Sequence, residues 1–194
     1  MVNEVTEPVA SGRFLATIVL VDLVRSTGNL VRIGDAAWRE LLATYYAEVR
    51  RKHALYGGVE VDSAGDGLLA HFDGPGRAIR CARAIEGAAV ELGLEARAGV
   101  HTGEVERDKV ALRGIAVHIA ARIAALANAG EVFVSSTVRD LVAGSGWTSS
   151  TAGRVNSRAS KGLGSCLLSA DPARHFRTWL SMVARTRPIT SFSR

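Results

Sequence analysis

Apolar and polar residues follow two kinds of pattern along the first three quarters of the chain. Residues 14–21 form an apolar, β-branched run without alternation, which is typical of a strand buried on both faces. Residues 35–55 and 77–92 repeat apolar positions at helical spacing. The pattern predicts further strands at residues 59–61, 67–72 and 96–101.

These segments occur in the order β-α-β-β-α-β, which favours a ferredoxin-like α+β fold with its helices on one face of an antiparallel-plus-crossover sheet. Turn residues 62–66 join two of the strands as a hairpin. A charged stretch at residues 104–112 is predicted to be a ribbon or loop. Extra elements follow: a helix at 114–127, a strand at 131–135, and a short helix at 136–143 with Thr137 near its cap.

Composition divides the chain into three parts: a polar N-terminal tail at residues 1–13, a folded body at 14–147, and an extension at 148–194. The extension holds eight basic residues and one acidic residue, so it carries +7, whereas the rest of the chain carries −2. A basic tail suits nucleic acid or lipid headgroups. Because the body is nearly neutral, we expect no nucleic acid partner, and we expect the extension to complete the domain in part or to be poorly ordered.

The remaining bulk properties favour a cytoplasmic protein. No apolar run approaches the ~20 residues that span a bilayer, and the acidic N-terminus does not resemble a signal peptide. The two cysteines do not form a disulfide framework, and Cys81 lies on an apolar helical face that predicts a core position.

The strongest chemical signal is a pair of carboxylates, Asp22 and Asp66, that end apolar segments beside turns. Carboxylate oxygens are ligands for hard divalent metals, and the N–H groups at the start of a following helix face phosphates well. Ser26 and Thr27 offer an N-cap for such a helix. The alternative interpretation is that Asp22 caps a helix and Asp66 belongs to a turn.

Four motifs occur in order along the chain: Asp22-Leu-Val-Arg-Ser-Thr27, Gly65-Asp66-Gly67, Ala98-Gly-Val-His-Thr-Gly103 and Gly114-Ile-Ala-Val-His-Ile-Ala-Ala-Arg122. Together they resemble the catalytic domain of the class III adenylyl and guanylyl cyclases, with similarity to the mycobacterial branch. The resemblance implies that a purine nucleoside triphosphate, ATP or GTP, is converted to the 3′,5′-cyclic monophosphate and pyrophosphate.

The resemblance also implies the site residues for metal and phosphate. Two Mg²⁺ or Mn²⁺ ions per active site would be held by Asp22, Asp66 and the main chain of Leu23. The N–H groups that follow would face the phosphates, and Lys161 would meet the terminal phosphates. The phosphate-facing segment comprises Val24, Arg25, Ser26 and Thr27.

Arg122 matches the arginine that stabilises the transition state in this family, and His118 occupies the place of a ribose-orienting side chain. A lone guanidinium on an Ala/Ile-rich segment also favours an anionic partner, although a surface arginine is the alternative. The family shares each site between two protomers. The resemblance therefore implies a homodimer with two sites at its interface.

The chain departs from the family at two base-recognition positions, Asp62 and Ala111, where adenine-specific members carry a lysine and an acid. A carboxylate cannot donate to adenine N1, but it accepts from the N1–H and amino groups of guanine. Three possibilities remain open: a GTP-accepting cyclase, an adenylyl cyclase of loose specificity, or a weak or inactive nucleotide-binding regulatory module. A diguanylate-cyclase-like enzyme is disfavoured because the chain lacks a Gly-Gly-[Asp/Glu]-Glu-Phe run.

Overall fold

A computed structural model describes residues 12–64, 67–108, 111–145, 147–150, 154–157 and 166–167. Its helices and strands follow one another in chain order as β1 (Arg13–Val24), α1 (Ser26–Ile33), α2 (Asp35–Tyr56), β2 (Val59–Ala64), β3 (Gly67–Phe72), α3 (Pro75–Glu91), β4 (Glu95–Asp108), β5 (Ala111–Arg113), α4 (Ile115–Leu126), β6 (Val132–Val134), α5 (Ser136–Leu141), β7 (Trp147–Ser150), β8 (Arg154–Ser157) and β9 (Cys166–Leu167).

The main sheet has the strand order β2-β3-β1-β4-β5, and β6 lies parallel to β4. Strand β1 is central and antiparallel to both β3 and β4. The first four strands, with α2 and α3 as crossovers, give the predicted ferredoxin-like βαββαβ core. The α+β fold class is therefore confirmed, and the charged stretch after residue 103 forms the predicted ribbon, made by the end of β4 and β5.

Two layers of helices cover this sheet. Val19, Val21 and Leu23 of β1 face the main core, in which α2 and α3 pack. Ala16 and Ile18 face the opposite side, where they cluster with residues of α4. The expectation of helices on one face is therefore wrong for α4, although it holds for the core helices.

Helix α4 lies directly on β4 because both elements present very small residues. A Cβ built on Gly99 would lie 2.3 Å from the backbone nitrogen of Ala124 and 2.4 Å from the carbonyl oxygen of Ala120. On the helix side, Ala116, Ala120 and Ala124 are buried. The backbones of α4 and β4 approach so closely because Gly99 has no side chain, and this contact fixes the position of α4 over the sheet.

Three local expectations need correction. Asp62 does not belong to the hairpin turn, because β2 continues through it to Ala64, with a bulge between Glu60 and Asp62. Helix α1 begins after Arg25 rather than at a Ser or Thr cap. Ser135, not Thr137, caps α5, since its hydroxyl accepts a hydrogen bond from the Val138 N–H group. Cys81 is fully buried, as predicted.

Most of the basic extension lies outside the described residues, and its role stays a prediction. The described segments β7, β8 and β9 pair as a separate three-stranded antiparallel sheet. Within the described segments, no helix combines the length and the apolarity that a bilayer crossing requires.

Candidate active site

Asp22 lies where the pairing of β1 with β3 ends. Its register partner on β3 is Gly67, and on the other side its partner on β4 is Arg97. Leu23 and Val24 still pair with β4, but they lie beyond Asp22, the last residue of β1 that pairs with β3. Leu23 packs its apolar side chain in the main core, so it could serve as a ligand only through its main chain.

The Asp22 carboxylate forms an ion pair with Arg97. Both Nε (2.9 Å) and Nη2 (2.6 Å) of Arg97 donate to the same oxygen, Oδ2. The Asp22 side chain is 17% exposed and the Arg97 side chain 32%, so water screens this ion pair less than it screens a pair on the surface. Nη1 of Arg97 donates at 3.5 Å to the carbonyl of Ala125, so the same guanidinium contacts both the Asp22 carboxylate and the last turn of α4.

Sequence reasoning missed Arg97. The sequence does contain a signal for a functional role of Arg97. It is the sole charged residue between Ala96 and His101, and the alternation of side chains along a strand places it on one face with Gly99 and His101. The partner could not be inferred, because the register that sets Arg97 opposite Asp22 joins residues 75 positions apart.

The chain turns sharply from β1 into α1. Arg25 adopts a left-handed conformation (φ 59°), which is uncommon outside glycine. Its guanidinium lies 3.2 Å from Glu95, in an exposed pair of little energetic weight. As in any helix, the N–H groups of Thr27 and Gly28 in the first turn have no acceptor within the helix. The turn therefore directs N–H groups to the neighbourhood of Asp22.

Helix α4 carries the other two predicted site residues on its outer side. Its sheet-facing positions are buried, whereas His118 is exposed and Arg122 is partly exposed. Ile115, one turn before His118, is 76% exposed. Within one chain, Asp22 thus lies in the sheet, on β1, and the stripe of Ile115, His118 and Arg122 lies on the side of α4 that faces away from the sheet.

The histidine and threonine of the Val-His-Thr-Gly motif have structural contacts inside the sheet. Nδ1 of His101 and the Ser135 hydroxyl are 2.8 Å apart, and the Thr102 and Thr17 hydroxyls are also 2.8 Å apart. Burial lowers the pKa of His101, which keeps it neutral near pH 7. This motif therefore ties β4 to β1 and to the start of α5.

The remaining predicted site residues are either outside the described residues or exposed on the surface. Asp66 and Lys161 lie outside the described residues. Asp62 is exposed on β2, and Ala111 is exposed at the start of β5. Among the residues that the structure describes, which do not include Asp66, no three His, Cys, Asp or Glu side chains cluster as a metal site.

The fold as a whole resembles those of solved nucleotidyl cyclases. The guanylyl cyclase Cya2 superimposes with a TM-score of 0.68 at 24% identity, over 78% of this chain and 89% of that one. The adenylyl cyclase CyaB from P. aeruginosa gives a TM-score of 0.68 at 20% identity, over 77% and 90%. The chain therefore has the class III cyclase fold, and the predicted resemblance to the class III cyclases is confirmed. The similarity to the mycobacterial branch stays a prediction.

A sequence relative agrees with this assignment. The chain is 28% identical over 140 residues to "Putative adenylate cyclase 3" of Rhizobium meliloti (strain 1021), a match that covers 68% of this chain. The matched segment spans about a quarter (24%) of that protein's length. No model of a known protein family matches the chain.

Proposed function

We propose that the protein is a nucleotidyl cyclase, which forms a 3′,5′-cyclic monophosphate from a purine nucleoside triphosphate and releases pyrophosphate. The observation that carries this proposal is the position of Asp22, in a chain with the cyclase fold. It ends the ladder with β3 and stands beside the turn into α1. A carboxylate next to helix N–H groups suits a metal–triphosphate substrate.

The donors around Asp22 fit a hard divalent ion. They are oxygens: the Asp22 carboxylate, the Leu23 carbonyl and, as a further proposal, the carboxylate of Asp66. Asp66 directly precedes Gly67 in sequence, and Gly67 is the register partner of Asp22. Mg²⁺ or Mn²⁺ bound there would lower the pKa of the ribose 3′-hydroxyl and neutralise phosphate charge.

The chain's own residues then have separate tasks. The N–H groups of Thr27 and Gly28 would bind phosphate oxygens at the start of α1. The Arg122 guanidinium would stabilise the charge that develops on the α-phosphoryl group, and His118, four residues earlier on α4, would orient the ribose.

We further propose that each active site is shared between two protomers. The stripe supports this proposal, because its exposed His118 and half-buried Arg122 lie on the side of α4 opposite the buried positions that pack on the sheet carrying Asp22 of the same chain. A second copy that packs against the stripe would meet it with its own Asp22, and a symmetric dimer would then hold two identical sites.

Mixing two inactive variants tests both proposals. We expect Asp22→Asn and Arg122→Ala each to abolish formation of cyclic nucleotide from ATP or GTP with Mn²⁺. An equimolar mixture forms heterodimers with one intact site, so we expect about a quarter of the wild-type activity to return.

Two results would contradict these proposals in different ways. Absence of any cyclic product from the wild-type dimer, with nucleotide binding intact by calorimetry, would indicate a regulatory module instead of an enzyme. Activity of the wild type without recovery in the mixture would reject only the shared site.

A further inference from the structure

The Arg97 guanidinium contacts two functional elements at once. Its Nε and Nη2 donate to Oδ2 of Asp22 at 2.9 and 2.6 Å, and its Nη1 donates to the Ala125 carbonyl at 3.5 Å. These nitrogens belong to one planar, rigid group, so a movement at one end of the group moves the other end. Arg97 therefore links the proposed metal ligand on β1 to the last turn of α4.

The two ends of this link are unequal. The contacts with Asp22 are short and charge-assisted, whereas the contact with Ala125 is long for an N–H···O bond. The Ala125 carbonyl still attracts the cation, because α4 ends at Leu126 and the last carbonyls of a helix carry its partial negative charge. Asp22 thus holds the guanidinium more firmly than α4 does, and a loss of charge at Asp22 would shift the balance towards α4.

Helix α4 has little room to absorb such a shift. A Cβ built on Gly99, which lies on the same face of β4 as Arg97, would lie 2.3 Å from the backbone nitrogen of Ala124. Tightly packed elements transmit a displacement because they cannot compress. Arg122 is a neighbour of Ala125 on the helix surface, three positions earlier. A change at the Ala125 end is therefore passed to Arg122.

We propose that Arg97 is a positioning residue that couples the two active sites of the dimer. This inference rests on the proposed function, in which Asp22 and Arg122 of one chain serve different sites. When the Asp22 carboxylate shares its charge with a divalent ion, its hold on Arg97 weakens, and the hydrogen bond from Arg97 to Ala125 shortens. The same helix presents Arg122 to the other site, so the loading of one site prepares the other.

The coupling has a definite sign. A firmer hydrogen bond at Ala125 steadies the last turn of α4 and, with it, Arg122. A side chain that is already ordered loses less conformational entropy when the substrate binds. Binding at the first site therefore favours binding at the second, and coupling energies between sites correspond to a change in affinity of about fivefold or more.

Amide hydrogen exchange, followed by mass spectrometry, tests the half of the relay that lies within one chain. Mn²⁺ alone, without nucleotide, should slow exchange in the last turn of α4 by about threefold, as expected for one strengthened hydrogen bond. Arg97→Gln and Asp22→Asn should each abolish this response. Arg139→Gln is the matched control, because Arg139 pairs with Asp140 at 2.8 Å in an exposed position on α5. It should respond to Mn²⁺ as the wild type does.

Arg97→Lys tests the coupling between sites. Lysine keeps a cation beside Asp22, but its single ammonium group lacks the planar fork that contacts Asp22 and Ala125 together. We expect binding of 3′-deoxy-ATP or 3′-deoxy-GTP with Mn²⁺, measured by calorimetry, to be positively cooperative in the wild-type dimer, with the second site about fivefold tighter. Arg97→Lys should bind without cooperativity and with an unchanged melting temperature. Neither measurement needs turnover, so a wild type that forms no cyclic product would reject the proposed function and leave both readouts interpretable.

Three results would overturn the inference. The first is exchange in α4 that does not respond to Mn²⁺ in the wild type, or that responds equally in Arg97→Gln. The second is cooperativity that is absent from the wild type or persists in Arg97→Lys. The third is weaker nucleotide binding by both Arg97 variants without Mn²⁺, combined with unchanged exchange in α4, because Arg97 would then act only as a phosphate ligand.

Discussion

The Asp22 carboxylate is held by Arg97 in the structure, and we propose that it also binds a divalent ion. Arg97 donates twice to Oδ2 at 2.9 and 2.6 Å, and charge-assisted hydrogen bonds of this length are strong. A divalent ion at Asp22 would compete with the guanidinium for the carboxylate charge. Arg97 therefore both orients the carboxylate and opposes metal binding.

Arg97→Gln separates these two effects. Removal of the positive charge beside Asp22 should tighten Mn²⁺ binding by about threefold to tenfold, because roughly 1 kcal/mol of competing interaction is lost. Electron paramagnetic resonance of Mn²⁺ in a titration without nucleotide measures the affinity directly.

Arg97→Lys, which keeps the charge, should bind Mn²⁺ as the wild type does, and so should Arg51→Gln at an exposed ion pair. Weaker Mn²⁺ binding in Arg97→Gln would mean that orientation of the carboxylate outweighs competition.

At the scale of elements, the contact between α4 and β4 has the least tolerance for a change in side chain. Gly99→Ala would press a methyl group against the backbone of α4, which cannot yield as a flexible side chain does. We expect this substitution to lower the free energy of unfolding by about 1–3 kcal/mol. Urea unfolding followed by circular dichroism gives the value.

Gly87→Ala on α3 is the matched control. The added Cβ would meet nothing within 4 Å, and alanine favours a helix over glycine by about 0.5–1 kcal/mol. It should therefore stabilise the protein. Equal effects of the two substitutions would mean that α4 does not lie as close to Gly99 as described.

The elements also reveal which features the sequence could predict. The core strands and α2 and α3 were predictable because apolar spacing and glycine turns are local signals. The side of the sheet that α4 covers was not predictable, because it depends on the contact of Gly99 with Ala124, which lie 25 residues apart in the chain. The bulge at Asp62 was not predictable either, because it depends on how β2 pairs with β3. The position of Asp22 near the end of a strand was predictable, although β1 runs two residues further, to Val24, whereas its partner Arg97 required the strand register.

At the scale of the whole molecule, three buried histidines couple stability to pH. The pKa values of His53, His71 and His101 are lowered, chiefly by burial. His53 is the clearest case, because it is 3% exposed and both its ring nitrogens lack a hydrogen-bond partner among the described residues. It packs edge-on against Phe72, with ring centres 6.1 Å apart, in a site that disfavours the charged ring.

The sign of the effect follows from proton uptake. Below the ordinary histidine pKa of about 6.5, the unfolded chain binds protons that the folded protein excludes, so stability is complete above that pH and falls as the pH drops toward the folded pKa values. Each such histidine contributes a slope of up to about 1.4 kcal/mol per pH unit in this window.

We expect the free energy of unfolding to decrease between pH 7 and pH 5, and His53→Leu to make the decrease shallower. Chemical unfolding at half-unit pH steps measures both slopes. A His53→Leu slope equal to that of the wild type would show that His53 is protonated equally in the folded and unfolded states.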